Sequence, residues 1–253
     1  MEHLIKKAAR DLVDVDNAVA LTGAGISIES GIPPFRGKGG LWERIDPMMA
    51  HIDTFLNDPE KVWRVLMNEM KDVIDMARPN DAHLGLYRLE ELGILKTIIT
   101  QNVDGLHQMA GSRDVIEFHG SFAWQRCMEC DSRCETRDVD MTQIPPRCLC
   151  GGIYRPDCVF FGEQIPPRYF QRSQQAASGC EVMLVVGTSA IIQPACLMPM
   201  TAAESGAKVI EINPDSTPLT NSVSDYLIRG PAGPILNRIV DEIEKILAKP
   251  EPN

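Results

Sequence analysis

The sequence predicts an α/β protein built on a doubly wound, Rossmann-like parallel sheet, with a smaller domain made from two insertions. Short apolar runs, such as residues 18–21 and 182–186, have the length of buried strands, and stretches with helical periodicity separate several of them. This alternation favours a parallel sheet with helices on both faces. A helical segment over 37–78 and a cysteine-containing segment over 121–158 interrupt the alternation and are expected to form the smaller domain. The main domain then comprises 1–36, 79–120 and 159–253.

Local patterns predict the individual elements. A first helix is expected over 4–13, because apolar residues recur there on one face. Asp58 and Pro59 mark a helix start inside the first insertion, and Asn80 caps a later helix that Gly93 ends. The remaining helices are expected over 168–178, 195–204 and 235–247. The remaining strands are expected over 95–100, 115–118, 159–161, 208–212 and 226–228.

Composition limits the class of protein. A chain of 253 residues with 44% hydrophobic residues can bury a substantial core. The net charge of -10 argues against a nucleic-acid partner and suits either a basic, lysine-bearing partner or simple solubility. Eight cysteines, some at Cys-x-x-Cys spacing, favour metal binding in a reducing compartment over a disulfide framework. Without a signal-peptide pattern or a bilayer-spanning run, we expect a cytoplasmic, monomeric protein that does not bind membranes.

A glycine-rich turn follows the first strand and indicates a nucleotide site. Its glycines allow the backbone to approach a pyrophosphate closely. Ile28 stands where the third glycine of the ordinary dinucleotide fingerprint belongs, and the chain is expected to break at Gly31 instead of settling into a helix. An arginine after the break can meet negative charge. The candidate nucleotide contacts of this loop are Gly23, Ala24, Gly25, Phe35 and Arg36.

Two further motifs follow predicted strands, at the end where open α/β sheets bind ligands. The string TQNVDGLHQMAG over 100–111 carries amide and carboxylate groups that can hydrogen-bond a carboxamide and a ribose, although Asp104 alone could simply cap the next helix. The string EFHGS over 117–121 places His119 at a strand end beside a glycine. An imidazole with an ordinary pKa of about 6.5 suits general-base catalysis near neutral pH.

Together these motifs resemble the signatures of the sirtuins, which remove acyl groups from lysine at the expense of NAD. The resemblance extends from the first helix to the last. It implies that His119 activates a ribose hydroxyl, that Asn102 also takes part in catalysis, and that His107 is structural. It further implies a nicotinamide and ribose pocket formed by Gln101, Asn102, Val103 and Asp104.

Later segments add to the resemblance. Residues 159–162 resemble the family's substrate-binding strand, to which a peptide can add by main-chain hydrogen bonds. A Gly-Thr-Ser sequence after strand 182–186 resembles a cofactor-contacting segment, and an asparagine ending the next strand is placed at the adenosine ribose. The implied substrate contacts are Val159, Phe160, Phe161 and Gly162. The implied further cofactor contacts are Gly187, Thr188, Ser189, Asn213 and, near the adenine, Ala232.

The second insertion contains two cysteine pairs that predict a zinc site. A loop of 17 residues separates the pairs, which suits the Cys-x-x-Cys repeat of zinc modules, although the second pair is one residue short. Polar and proline-rich flanks offer these thiols little apolar burial. The expected ligands are Cys127, Cys130, Cys148 and Cys150, with Cys134 as the alternative. Four protein ligands make the zinc structural rather than catalytic.

The sequence therefore predicts an NAD-dependent protein deacetylase that acts on acetylated lysine and produces nicotinamide and O-acyl-ADP-ribose. A dehydrogenase is a rival, but the broken glycine fingerprint counts against it. A zinc-ribbon nucleic-acid binder is disfavoured by the acidic charge. Mono-ADP-ribosyl transfer shares the first chemical step, and the presence of His119 favours deacylation.

The acyl preference depends on a less diagnostic helix. Sirtuins that prefer succinyl or malonyl groups resemble one another in a Tyr-x-x-Arg pair that holds the extra carboxylate. With Trp63 as the anchor, Leu66 takes the place of that tyrosine and Glu69 that of the arginine. An apolar side chain and a carboxylate cannot bind a second carboxylate, so we expect neutral acyl groups to be preferred. Arg64 is one residue from the anchor and is expected to face elsewhere on the helix.

Overall fold

The computed structural model describes residues 1–37 and 39–248. Its strands form one six-stranded and one three-stranded sheet within this part of the chain. In chain order the strands are β1 (Ala18–Thr22), β2 (Leu95–Thr100), β3 (Val115–Glu117), β4 (Gly120–Cys127), β5 (Arg133–Glu135), β6 (Tyr154–Cys158), β7 (Val182–Val186), β8 (Lys208–Asn213) and β9 (Tyr226–Arg229). The α-helices are α1 (Glu2–Val13), α2 (Ile52–Asn57), α3 (Pro59–Val62), α4 (Asn68–Met76), α5 (Asp81–Glu91), α6 (Leu106–Ala110), α7 (Pro167–Gly179), α8 (Leu197–Glu204) and α9 (Ala232–Leu247).

The large sheet confirms the predicted α/β fold. Its strand order is β3-β2-β1-β7-β8-β9, and every neighbouring pair is parallel. The order reverses direction at β1, which pairs with β2 on one side and β7 on the other. In open parallel sheets the crevice outside the carboxyl ends of the strands at such a reversal is the usual ligand site. The fold therefore directs the loops after β1, β2 and β7 to one place.

Alternation along the strands fills both faces of this sheet. In β1, Ala18 and Ala20 belong to the core beneath α1, α5 and α9, whereas Val19 and Leu21 belong to the core beneath α7 and α8. Successive side chains of a strand point to opposite faces, so a strand covered on both sides is apolar throughout. All five residues of β1 are buried, as this arrangement requires.

The two insertions pack against each other around a third apolar cluster. The helical insertion contributes Phe55, Trp63 and Leu66, and the other side of the cluster includes Phe122 and Phe160. The Trp63 indole also donates a hydrogen bond to the Tyr154 carbonyl at 3.0 Å. Asp58 caps α3, as predicted, by accepting a hydrogen bond from the Lys61 amide. A π-helical turn, Trp63–Met67, joins α3 to α4.

Several local predictions differ from the structure. The strand expected over 159–161 is wrong, because β6 ends at Cys158 and the following residues make only a single bridge, between His51 and Phe161. The glycine turn was not expected to lead into a helix, but it continues as a short 3₁₀ helix, Ala24–Ser30. Gly31 ends this helix with a φ of 86°, at the position where the break was expected. The antiparallel sheet β5-β4-β6 has no counterpart in the sequence prediction. Within the described residues no helix combines the length and apolarity needed to cross a membrane.

Candidate active site

A cleft of about 1290 Å³ lies at the carboxyl ends of the parallel strands. The loops after β1, β2, β7 and β8 line it, together with residues 158–165 and parts of the helical insertion. Asp104 lies in a smaller adjoining cavity that shares Ala24, Phe35 and Asn102 with the cleft. The expected contacts that line the large cleft are Gly23, Ala24, Gly25, Phe35, Arg36, Gln101, Asn102, Val103, His119, Val159, Phe160, Phe161, Gly162, Gly187, Thr188, Ser189, Asn213 and Ala232.

The glycines of the first loop allow two loops to touch backbone to backbone. The Gly25 amide donates to the Gly187 carbonyl at 2.7 Å. A Cβ on Gly25 would lie 2.7 Å from that same carbonyl oxygen, and one on Gly23 would lie 2.7 Å from the Thr188 Cβ. Such contacts are too close for any side chain. The glycines therefore line the cleft and also allow the loops after β1 and β7 to pack closely against each other.

Hydrogen bonds fix the orientation of the Asn102 side chain. Its Nδ2 donates to the Gly23 carbonyl at 3.2 Å and to Ser27 Oγ at 3.1 Å. Ser27 in turn donates to Asp104 Oδ2 at 2.7 Å, and the Leu106 amide donates to Asp104 Oδ1 at 3.0 Å. Burial raises the pKa of Asp104, whereas these hydrogen bonds oppose that rise. Because both amide protons of Asn102 are engaged, its Oδ1 is the remaining polar atom of the side chain.

A buried polar chain that the sequence prediction missed supports the same loop. The Thr22 hydroxyl donates to Thr100 Oγ1 at 2.9 Å, and Thr100 Oγ1 accepts the Asn102 amide at 3.1 Å. Since the Thr22 hydroxyl is already donating, it accepts from His107 Nε2, which lies 2.9 Å away. The two threonines and the histidine are buried. His107 therefore has a structural place beneath the cleft, as the family resemblance implied.

His107 packs edge-on against a second buried histidine, His83, with 4.9 Å between ring centroids. The Asn80 amide donates to His83 Nδ1 at 3.3 Å, so the remaining proton of a neutral His83 ring is on Nε2. Neither His83 Nε2 nor His107 Nδ1 has a hydrogen-bond partner among the described residues. Burial lowers the pKa of His83 to about 4. Burial, followed by repulsion from His83, lowers the pKa of His107 to about 3.

His119 has the tautomer that a general base needs. Its Nδ1 lies 3.0 Å from the Gln101 carbonyl, which can only accept, so Nδ1 carries the proton and Nε2 keeps its lone pair. Burial lowers the pKa of His119, although the hydrogen bond to Gln101 opposes this shift. The ring is consequently neutral at neutral pH. It lines the cleft beside Asn102, and Phe118 packs edge-on against it.

The predicted substrate segment forms one wall of the cleft, and its backbone groups are largely paired. The Val159 amide donates to the His119 carbonyl at 2.8 Å, and the Phe161 amide donates to the Ala50 carbonyl at 2.9 Å. The Phe161 carbonyl accepts from Ile52 at 2.9 Å. The Val159 carbonyl has no such partner within the described part of the chain. Because Val159 lines the cleft, its carbonyl is a candidate acceptor for an N–H group of a bound substrate.

The helical insertion provides an apolar part of the cleft. Leu66 is 1% exposed and lines the cleft together with Met67 and Met70. Glu69 lies in the adjoining cavity and forms an ion pair with Arg44, with 2.9 Å between Nη2 and Oε1. The expected orientation of Arg64 agrees with the structure, since Arg64 is exposed and pairs with Glu60 at 2.8 Å. Among the described residues, Arg36 is the only lysine or arginine lining the cleft.

The four expected metal ligands lie together, away from this cleft. The Sγ atoms of Cys127, Cys130, Cys148 and Cys150 are all within 4.8 Å of one another, and Cys134 is outside the cluster. The Cys127–Cys150 and Cys130–Cys148 sulfur distances are 3.5 and 3.8 Å. Tetrahedral zinc with bonds of about 2.3 Å requires sulfur atoms about 3.8 Å apart, so the four thiolates suit zinc.

Comparison with known proteins identifies the family. The model of the Sir2 family matches residues 23–194, which include the glycine loop, both polar motifs and the cysteine cluster. The chain belongs to the Sir2 family.

Individual Sir2 relatives match over almost the whole chain. "NAD-dependent protein deacylase 1" of Archaeoglobus fulgidus is 44% identical over 245 residues, covering 96% of this chain and 99% of that protein. A crystal structure of a Sir2 homolog–NAD complex has a TM-score of 0.88 at 44% identity, covering 98% of this chain and 95% of the other. A Sir2–p53 peptide–NAD⁺ structure has a TM-score of 0.84 at 32% identity, covering 94% and 98%. These similarities confirm that the sequence motifs were correctly assigned to a family.

Proposed function

We propose that this protein is an NAD-dependent protein deacetylase that removes acetyl and other neutral acyl groups from lysine side chains. Nicotinamide and O-acyl-ADP-ribose are the products. One observation carries the proposal: a neutral His119, with its lone pair on Nε2, lies in the same cleft as the glycine loop and residues 159–162, to which we assign peptide binding. Sir2 relatives named as NAD-dependent deacylases and deacetylases support it.

Different residues along the cleft bind the parts of NAD and carry out the proton transfer. NAD supplies an electrophilic anomeric carbon when nicotinamide leaves. Arg36 provides the positive charge for the pyrophosphate, and Asn102 presents Oδ1 beside the ribose and carboxamide. Asn213 and Ala232 line the other end, where adenosine is expected. With NAD bound, the acyl oxygen would displace nicotinamide at the anomeric carbon, which activates the acyl carbon. His119 Nε2 would then remove the proton from a ribose hydroxyl, which attacks that carbon, and one water molecule would supply the oxygen needed to release lysine as the amine. Closing the cleft around the reactants excludes water that would otherwise hydrolyse NAD.

The acyl-lysine enters along the segment after β6. The Val159 carbonyl accepts the amide N–H of the acylated side chain, and neighbouring main-chain groups hold the peptide as an added strand. Recognition through the main chain makes sequence selectivity modest. Acetylated peptides and proteins are therefore the substrate class, with the sequence around the lysine exerting a secondary effect. The Sir2–p53 peptide–NAD⁺ structure supports a peptide as the partner.

The acyl group itself meets an apolar environment. Leu66, Met67 and Met70 line this part of the cleft, whereas Glu69, in the adjoining cavity, would repel a second carboxylate. Arg44, outside the cleft, is paired with Glu69, and Arg36, which lines the cleft, is required by the pyrophosphate. A succinyl carboxylate would therefore lose its hydration without gaining a partner. Acetyl and longer apolar acyl groups are the preferred substrates.

We further propose that the cysteine cluster binds one structural zinc ion. Cys127, Cys130, Cys148 and Cys150 would hold the ion, which joins the turn after β4 to the turn before β6. Backbone amides of Glu129 and Gly152 donate to two of the sulfurs at 3.4 Å, as thiolates require. We also propose a division into a main domain and a smaller domain of residues 37–78 and 121–158, because the insertions pack around an apolar cluster separate from the two cores of the large sheet. A cytoplasmic location suits thiolate ligands, which persist in reducing compartments.

The test is whether deacylation depends on NAD. Purified protein is incubated with an acetyl-lysine peptide and with NAD, with NADP or without a nucleotide, and the deacetylated peptide is quantified by mass spectrometry. Deacetylation that requires NAD is expected, with no activity in the other two reactions. Deacetylation without a nucleotide would contradict the proposal. Hydride transfer to NAD with a small alcohol would instead identify a dehydrogenase.

A further inference from the structure

An ion pair between a buried arginine and a half-buried glutamate joins the two ends of the chain around the substrate segment. Arg155, on β6, is 8% exposed. Its two Nη atoms donate to the two carboxylate oxygens of Glu163 at 2.7 and 2.6 Å, a bidentate arrangement that fixes both side chains. Glu163 follows the substrate segment in sequence, so the pair bridges the two ends of residues 155–163. Burial alone would raise the pKa of Glu163, but hydrogen bonds from Arg155 lower it, so the carboxylate stays ionised.

The same two side chains also hold the backbone between them. Arg155 Nη2 donates to the Cys158 carbonyl at 2.7 Å, and Glu163 Oε2 accepts the Phe160 amide at 2.9 Å. The guanidinium also lies over the Phe160 ring, 4.5 Å from its centroid. Cys158 and Phe160 flank Val159 on either side. The Phe160 amide belongs to the same peptide unit as the Val159 carbonyl, and the Cys158 carbonyl belongs to the unit before it, so the ion pair fixes both units. Because the Val159–Phe160 peptide bond is trans, the Val159 carbonyl points away from Glu163.

Arg155 does not line the cleft, and the carboxylate of Glu163, which does, is engaged by Arg155 and the Phe160 amide. The polar atoms of Arg155 are engaged by Glu163 and by main-chain carbonyls, including Pro156 at 3.3 Å. Neither side chain has to contact the reacting atoms to affect them. A shift of the segment by about 1 Å is enough to cost roughly 100-fold in rate, because reacting groups must be held in near-attack geometry.

We propose that the Arg155–Glu163 pair positions the Val159 carbonyl for the acyl-lysine amide and thereby determines the affinity for acylated peptide. The proposal rests on the proposed function. It assigns to this pair a positioning role that is specific to one substrate, because the pair holds residues 158–160 and none of the loops after β1, β7 and β8. Its loss should impair the use of peptide and leave the use of NAD unchanged.

The test compares a double variant, Arg155→Met with Glu163→Leu, with the wild-type protein. Replacing both partners avoids leaving a buried charge unpaired, which would destabilise the fold by itself. The matched control, Arg133→Gln with Asp157→Asn, removes an ion pair of 2.6 Å that also involves β6 but does not hold the segment. KM is measured for an acetyl-lysine peptide and separately for NAD, the melting temperature is recorded, and amide hydrogen exchange is followed over residues 158–162.

The double variant is expected to show an increase of about 10- to 100-fold in KM for the peptide, a change of less than about twofold in KM for NAD, and faster exchange of the Phe160 amide. Glu163→Gln, which keeps an acceptor for that amide, should give a smaller effect. An unchanged KM for peptide, or equal increases for peptide and NAD, would overturn the proposal. If the wild-type protein does not deacylate, the proposed function fails. Unchanged exchange in the double variant would then separately refute the positioning of the segment.

Discussion

The buried histidine pair should make the protein sensitive to mild acid. The folded pKa values of His83 and His107 are about 4 and about 3, whereas an unfolded histidine has a pKa of about 6.5. The neutral rings therefore contribute their full stability above about pH 6.5, and this stability is lost as the pH falls below that value. At about pH 5 each unfolded ring gains about 2 kcal/mol from protonation that the folded ring cannot gain, so the pair costs about 4 kcal/mol.

Urea unfolding at several pH values between about pH 8 and pH 5 measures this effect. A His107→Gln variant provides the comparison, because its side-chain amide can still donate to Thr22 but does not titrate. The free energy of unfolding of the wild-type protein should fall by about 2 kcal/mol more than that of the variant over this range. Carboxylates and other groups contribute equally to both proteins and cancel in the difference. Equal pH dependence in the two proteins would refute the reasoning.

Four other predictions concern the site directly. His119→Ala should lower deacylation by about 10²–10⁴-fold while NAD binding, measured by calorimetry, is retained; near-normal turnover would end its assignment as the base. Zinc should be present at one ion per chain by elemental analysis, and Cys148→Ser should lose it whereas Cys134→Ser should keep it. Gly25→Ala should raise KM for NAD and lower the melting temperature, because the added Cβ would lie 2.7 Å from a backbone oxygen; unchanged values would contradict the loop contact. Specificity constants on one peptide should favour acetyl over succinyl, and the reverse order would show that Leu66 does not line the acyl pocket.

The parallel sheet could be predicted because its signals are local. A strand buried on both faces is an uninterrupted apolar run, as β7 is, and both β2 and β7 have the bounds that the sequence predicted. The small sheet gave no such signal. Its strands are rich in polar residues, β5 has only three residues, and the pairing of β4 with β6 shifts register between Ser121 and Gln125. Apolar periodicity does not predict strands that depend on this kind of irregular pairing.

The same contrast applies to the site. The motifs that follow strands could be recognised in the sequence because polar residues directly after an apolar run indicate a ligand site at the end of a buried strand. The His83–His107 contact and the chain from His107 through Thr22 to Thr100 join distant parts of the sequence, so no spacing predicts them. Residues 159–161 were predicted to form a strand from their apolar character. Their backbone groups instead bind side chains and loops, which only the tertiary structure shows.

The identity of the acyl acceptor is the most direct measure of the proposed activity. Wild-type protein, an acetyl-lysine peptide and NAD are allowed to react, and all products are quantified by mass spectrometry. The mechanism predicts deacetylated peptide, nicotinamide and O-acetyl-ADP-ribose in equal amounts, because the ribose hydroxyl activated by His119 takes the acyl group. Release of free acetate with NAD unconsumed, or ADP-ribose attached to the peptide, would contradict it.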